Sequence, residues 1–303
     1  MLYDSALHAI GNTPLIRISQ SPVASVYAKL EYLNPGGSVK DRSALFMIEE
    51  AERRGDLKPG GTIVDASSGN HGVAVAMIGA IKKYRVIITV SEKISTEKLQ
   101  TIKALGAEVV MCPATAYIDD PRSYHSQAVK IQSQIPGSFM PNQYYNLDNS
   151  QAHYTLLGPE IWQQTKGKIT HFFAAAGTCG TVSGVGKYLK EKKPEVKVIA
   201  LDAATSFYST RGNPQPYKVE GMGIDFTNDI LNHKVIDEIV PITDDNALGM
   251  LPTIARSDGI LVGPSSGAVL YGALEYCKNL GPDICAVAIC GDSGRAYLTK
   301  NFF

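Results

Sequence analysis

One lysine and three glycine-rich turns carry the chemistry this chain can offer. Asn34-Pro-Gly-Gly-Ser-Val-Lys-Asp-Arg42 runs turn residues straight into a helical pattern over 38–53, so Lys40 falls in the first helical turn. The positive end of a helix dipole is a poor place for an ammonium. The penalty shrinks if the amine is neutral, with a lowered pKa, or held as an imine. Taken alone, the stretch also suits a surface lysine balanced by Asp41. The three turns share one design: an apolar strand, then Gly with Ser, Thr or Asn, then a helix. They are Ala66-Ser-Ser-Gly-Asn-His-Gly72, Ala176-Gly-Thr-Cys-Gly-Thr-Val182 and Leu261-Val-Gly-Pro-Ser-Ser-Gly267. Unpaired N–H groups at a helix start attract anions, and glycine lets backbone approach them closely. Each turn by itself is equally an ordinary strand-to-helix connection with a capping hydroxyl. Three in one chain point to an anionic ligand. None is GxGxxG or GxxxxGK[ST], so dinucleotide and P-loop chemistry is disfavoured. A phosphate on 177–181 would then be a single monoester on a small cofactor.

The elements that must position these groups read as strands alternating with helices. Strands are predicted at 62–66, 85–90, 108–111, 171–176, 197–201 and 286–290. Helices are predicted at 70–81, 95–105, 122–134, 181–192, 245–256 and 266–280. Ser95 is the expected cap of the second of these helices. That rhythm implies βαβ units, parallel sheets covered on both faces, and an α/β fold of two lobes with a cleft between them. Irregular zones lie near 141–149 and over 203–232; a loop as long as the second is often functional.

Composition narrows the class further. The chain has 303 residues, 44% of them hydrophobic, with 29 basic and 29 acidic side chains. At about 100–200 residues per domain, that length suits one large domain or two lobes. A formal charge of zero argues against a nucleic-acid partner. No stretch approaches the ~20 apolar residues of a membrane span. Met1-Leu-Tyr-Asp-Ser reads as neither a secretory signal nor a transit peptide, so a cytoplasmic location is expected. Cys112, Cys179, Cys277, Cys285 and Cys290 show no metal or disulfide spacing. They read as buried reduced thiols, Cys179 apart because it sits in a glycine-rich turn, and no metal site is expected.

The ordered set Asn-Pro-Gly-Gly-Ser-Val-Lys-Asp-Arg, Ser-Gly-Asn-x-Gly, Gly-Thr-x-Gly-Thr and Gly-x-Ser-Ser-Gly closely resembles the pyridoxal-phosphate β-family. Within it the likeness is to cysteine synthase (O-acetylserine sulfhydrylase) and cystathionine beta-synthase, from Ile10-Gly-Asn-Thr-Pro-Leu15 to the last residues. The resemblance implies the two-lobed fold type II, a homodimer, and pyridoxal 5'-phosphate between the lobes. It implies a larger lobe of residues 1–37 and 147–303 that anchors the cofactor, and a smaller mobile lobe of residues 38–146. Lys40 matches the lysine of the internal aldimine, and Asn70 the asparagine bonded to the 3'-oxygen. Gly177, Thr178, Cys179, Gly180 and Thr181 match the phosphate cup, and Ser265 the serine facing the pyridine nitrogen. Ser67, Ser68, Asn70, His71 and Gln143 match the grip on the substrate carboxylate, with Gly221 also on the substrate side.

The implied reaction is β-replacement on serine, O-acetylserine or cysteine through an aminoacrylate, with homocysteine or sulfide as the second substrate and release of hydrogen sulfide within reach. A serine at the ring nitrogen does not force that nitrogen to stay protonated, which favours elimination over transamination. The cofactor supplies the electron sink and the protein the orientation, and Lys40 is the natural base for the Cα proton. A serine/threonine dehydratase of the same fold is the alternative; a non-enzymatic binding subunit is disfavoured by Lys40. Tyr217-Lys-Val-Glu-Gly-Met-Gly-Ile-Asp-Phe226, Ser91-Glu-Lys-Ile-Ser-Thr-Glu-Lys98, Ala152-His-Tyr154 and Asp292-Ser-Gly-Arg-Ala-Tyr-Leu-Thr-Lys300 lean toward the cystathionine beta-synthase version. Three positions depart from the pattern. His71 replaces a threonine and Ile224 a tyrosine. Cys179 replaces a glycine, and its Cβ is expected to remodel the cup. Glu220 and Asp225 read either as recognition charges for a second substrate or as solvated loop charges.

Overall fold

In the computed structural model, which describes residues 2–67, 69–115, 120–226 and 229–303, two sheets arise from the alternating runs. The larger uses β1 (Leu15–Arg17), β2 (Ser25–Leu30), β6 (His171–Ala175), β7 (Lys197–Ala203), β8 (Glu238–Ile242) and β9 (Cys285–Cys290). Their order is β1-β2-β9-β6-β7-β8. Only β1 pairs antiparallel; β2 runs parallel to β9 with Ser25 opposite Cys285 and Leu30 opposite Cys290. The smaller sheet is all parallel, in the order β3 (Thr62–Ala66), β4 (Arg85–Ser91), β5 (Glu108–Cys112).

Side chains of a strand alternate between faces, and each face of the larger sheet buries its own core. Phe172, Val198, Val287 and Ile289 pack against Val182, Val185 and Leu189 of α7 (Gly180–Lys192). On the other face Phe173, Ile199 and Leu201 meet Leu251 and Ile254 of α8 (Asp244–Asp258) and Leu270 of α9 (Pro264–Cys277). On the smaller sheet, Ile63, Ile88 and Val90 pack with Ile48 of α1 (Lys40–Arg54), Val75 and Ile78 of α2 (Asn70–Lys82), and Ile102 of α3 (Thr96–Ala104). Val64 and Ile87 take Ala128 of α4 (Tyr124–Gln134) on the opposite face. Short α5 (Asp148–Ala152), a π-helical turn (His153–Leu157) and α6 (Gly158–Gln164) lead back to the larger sheet. Among the described residues, no helix is long and apolar enough to cross a membrane.

The predicted strands and helices occur with shifts of a few residues at their ends. Lys40 is the first residue of α1, and Ser95 accepts from the Lys98 N–H as the cap of α3. Periodicity missed β1, β2 and β8. The reason in β2 is Lys29, whose side chain is 0% exposed in what would read as an apolar run. It bonds Glu160, Thr13 O and Gln164 Oε1. Glu160 in turn takes Arg42 Nη1 at 2.8 Å, and the Asn12 and Thr13 N–H groups at 3.0 Å each. Glu31 takes Arg42 Nε at 2.7 Å, Thr13 Oγ1 at 2.6 Å and Asn34 Nδ2 at 2.9 Å. Burial opposes ionisation of Glu31, yet Arg42 outweighs it and holds the carboxyl below its ordinary range. Two cations and two carboxylates thus cancel inside the protein, where an unpaired charge is costly.

Truncating Glu31 leaves the two buried cations Lys29 and Arg42 with Glu160 alone, one positive charge uncompensated. Glu31→Ala should lower the unfolding free energy by about 3–5 kcal/mol, read from urea denaturation followed by circular dichroism; a loss within about 0.5 kcal/mol, usual for surface changes, would show the cluster to be dispensable.

Candidate active site

Two of the three glycine turns leave the carboxyl ends of parallel strands, where open α/β sheets bind ligands; the strand expected before the third does not form, since 259–263 joins α8 to α9 and Val262 makes only a single bridge to Ser293. β3 turns into α2, β6 into α7, and β9 runs into Gly291 and Asp292, which bridges Ser38 just before α1. The result is one cavity lined by Lys40 and Asn70, by Gly177, Thr178, Cys179 and Thr181 of the β6–α7 turn, and by Gly221 and Ser265. Burial pushes the Lys40 amine down to about 8, against the pull of Cys179 and Asp292. A lowered pKa brings the neutral amine within easy reach, which suits the first turn of a helix and imine formation.

The turn after β6 has the features of an anion cup. Cys179 is the N-cap of α7, and its side chain makes no capping bond. The Gly180 N–H reaches the Thr178 hydroxyl only at 3.5 Å, so the start of α7, with the hydroxyls of Thr178 and Thr181 beside it, can still receive an anion. The Cβ of Cys179 does not keep its backbone out of the positive-φ region. The residue adopts the left-handed conformation at φ 64°, and its Sγ lies 3.6 Å from Gly177 O. The strain for a residue with a Cβ is roughly 1–2 kcal/mol. Gly177 and Gly180 are required for another reason, close approach: a Cβ on Gly177 would lie 2.8 Å from Gly221 O, and one on Gly180 2.2 Å from Asn149 Oδ1.

Other residues named from the sequence stand elsewhere. Ser67 is buried and its hydroxyl accepts from Gly72 N at 3.0 Å. Ser68 lies outside the described residues. His71 is buried, its Nδ1 3.0 Å from Asp65 Oδ2, and its Nε2 has no partner among the described residues; it does not line the cavity. Gln143 is buried, with its backbone carbonyl accepting from Asn149 and its Oε1 likewise unpartnered. Glu220 and Asp225 are not free charges. Lys98 and Lys300 hold the first at 3.2 and 2.7 Å, and the Tyr217 hydroxyl donates to the second at 2.5 Å. Ile224 is buried in the core under α7.

Four residues that the sequence reading gave no role also build the site. Asn149 donates to Gln143 O at 2.7 Å and Thr178 Oγ1 at 3.1 Å, joining the carboxylate-side residue to the cup. His153, on the π-helical turn, lies 3.2 Å from Thr181 Oγ1. Burial first, then Lys40 and Arg42, drive its pKa well down. Asp292 accepts from Asn70 Nδ2 at 2.7 Å and from the Tyr297 hydroxyl at 2.5 Å. His153, Asp292 and Tyr297 fell within stretches singled out for their resemblance, but no spacing rule ties them to partners so far along the chain.

An amine of lowered pKa, a helix start without a side-chain cap and with two hydroxyls beside it, an amide nitrogen and a serine hydroxyl form a donor set that fits an aldehyde coenzyme with one phosphate. The family model described as pyridoxal-phosphate dependent enzyme matches residues 6–291. Cystathionine beta-synthase of Apis mellifera is 43% identical over 97% of this chain, which spans 60% of that longer protein. Cysteine synthase of Staphylococcus aureus is 40% identical over 99% of this chain and 97% of its own. The crystal structure of an O-acetylserine dependent cystathionine beta-synthase from Helicobacter pylori matches with a TM-score of 0.94 at 34% identity, covering 100% of this chain and 99% of that one. The chain therefore belongs to the pyridoxal-phosphate dependent enzymes, with their fold type II architecture and pyridoxal 5'-phosphate as cofactor.

The cup and the start of α1 each yield a prediction. Gly180→Ala forces a Cβ into Asn149 and should weaken coenzyme binding by roughly tenfold or more, the equivalent of a 1–3 kcal/mol overpacking cost. Cys179→Gly relieves backbone strain and should leave affinity within about 1 kcal/mol of the parent. Absorbance titration of apoprotein measures both. The second concerns Asp41, beside Lys40: burial pushes its carboxyl up to about 7, against a 2.6 Å bond from Gly36 N. Because the folded value exceeds the unfolded one, its contribution is fully present below the unfolded pKa and is lost as pH rises to 7. Asp41→Asn should therefore gain in melting temperature relative to the parent between pH 4 and 7, and the difference should level off above that; a pH-independent difference would contradict it.

Proposed function

We propose that this enzyme performs β-replacement on serine, O-acetylserine or cysteine with a thiol, homocysteine or sulfide, as the second substrate, and can release hydrogen sulfide. The observation that carries this reading is Lys40, its amine lowered to about 8, in one cavity with Ser265 and the uncapped start of α7. The coenzyme, when bound, supplies the electron sink that makes the Cα proton of an amino acid acidic. Thr178, Thr181 and the first-turn N–H groups of α7 would hold its phosphate. Ser265 would lie toward the ring nitrogen without imposing a charge on it. The Lys40 amine would be the base that takes the Cα proton of the substrate and returns it. Ser67, Ser68, Asn70 and His71, with Gln143, bind the substrate carboxylate, and Gly221 borders the same space. His71 must leave Asp65, or offer its free Nε2, to take part. Residues 38–146 act as the smaller mobile lobe against 1–37 and 147–303, in a cytoplasmic homodimer. The names of the honeybee, staphylococcal and Helicobacter relatives support the reaction class.

The test is a matrix of donors (serine, O-acetylserine, cysteine) against thiols (homocysteine, sulfide), with product amino acids and pyruvate measured. A thiol-dependent β-substituted amino acid is expected. Pyruvate alone, whatever thiol is present, would make the enzyme a dehydratase. Lys40→Ala should abolish turnover with every pair, and persistent turnover would overturn the assignment of the base.

A further inference from the structure

Asn70 does not meet the cavity as a free side chain. Its Nδ2 donates to Asp292 Oδ2 at 2.7 Å, and the same oxygen accepts the Tyr297 hydroxyl at 2.5 Å. The Tyr297 oxygen accepts from Lys98 Nζ at 2.8 Å, and that ammonium lies 4.1 Å from the centre of the ring. Lys98 and Lys300 close the chain on the two oxygens of Glu220. Lys98, Asp292 and Tyr297 are all buried.

Asn70 and Tyr297 donate to Asp292, and Lys98 donates to the Tyr297 oxygen behind them. An ionised carboxylate only accepts, and a phenol has a single hydrogen to give. With Lys98 donating to its oxygen, Tyr297 must direct that hydrogen to Asp292. Asn70 can then approach Asp292 only with its nitrogen, which also bonds toward the Tyr297 oxygen, and this sends Oδ1 the other way. A carboxylate kept for stability alone is normally bonded at both oxygens. Asp292 Oδ1 is buried and has no partner among the described residues, and backbone crowds it: a Cβ on Gly263 would sit 2.1 Å away. The chain also joins the two sheets. Asn70 and Lys98 belong to α2 and α3, which pack on the smaller sheet, whereas Asp292 and Tyr297 follow β9 of the larger one.

We propose that Asp292 is a positioning residue: braced by Tyr297 and Lys98, it fixes the Asn70 amide so that an N–H, never the amide oxygen, faces the ring oxygen of the coenzyme, and it does so only while the two sheets stand together. This rests on the cofactor assignment and on Asn70 as the partner of the 3'-oxygen. An amide turned over would set its oxygen against an electron-rich oxygen, replacing a charge-assisted hydrogen bond with repulsion.

The test uses holoenzyme and follows the visible absorbance band of the bound coenzyme across pH, together with the coenzyme dissociation constant. Asp292→Asn can present either end of its own amide to Asn70. It should shift the band and raise the dissociation constant roughly tenfold, the scale of one lost hydrogen bond to a charged group. Tyr297→Phe keeps the ring and should change both in the same direction by less. In an Asn70→Ala background, Asp292→Asn should add no further shift. An Asp292→Asn holoenzyme with the parent's band and affinity overturns the proposal, as do additive shifts in the Asn70→Ala background. If Asp292→Asn does not fold, an unshifted band in Tyr297→Phe overturns it instead. A parent protein that gives no band with pyridoxal 5'-phosphate would refute the cofactor assignment, a separate failure.

Discussion

Four buried charges hold the start of α1. Lys29 and Arg42 are cancelled by Glu31 and Glu160, and Asn12 and Thr13 donate further hydrogen bonds to the two carboxylates. Removing charges from water is expensive, and the loss is recovered only when each ion finds its counterpart in good geometry. The cluster therefore has one satisfactory arrangement. That arrangement ties β2, α6 and the first turn of α1 together, and Arg42 stands two residues beyond Lys40. The amine enters the cavity because the helix carrying it is anchored from beneath.

From that anchor the site assembles by convergence of strand ends. β3, β6 and β9 all deliver a turn to the same region, and α9 brings Ser265 from the far side of the larger sheet. Close backbone approaches make the convergence tight. Gly177 lies under the carbonyl of Gly221, and Gly180 under the amide of Asn149. Glycine serves there as the absence of a side chain, whereas Cys179 adopts the left-handed conformation with a side chain, in the cavity that Lys40 also lines.

Much of this was legible in the sequence, and what was not has a physical cause. Long apolar runs such as those of β4 and β6 declare themselves, since strands buried on both faces need no polar alternation. β2 did not, because Lys29 is polar by type yet buried by pairing, and pairing is invisible to periodicity. Lys40, Asn70, Ser265 and the 176–182 turn could be found because local motifs carry them. Asn149, His153 and Asp292 act through partners 29, 28 and 222 positions away, a separation no local pattern encodes. The engagement of His71 with Asp65, rather than with the cavity, was likewise beyond reach: residue type says what a side chain can bond, not which neighbour reaches it first.

The rims of the larger sheet have a consequence for association. One rim is β1, three residues long; the other is β8, where Pro241 stands opposite Asp202 and withholds an N–H from any further strand. Both rims discourage backbone pairing between molecules. Copies of this protein can then meet through side-chain surfaces without the sheet propagating from one molecule to the next, a safeguard against fibrous growth built into a fold rich in β-branched residues.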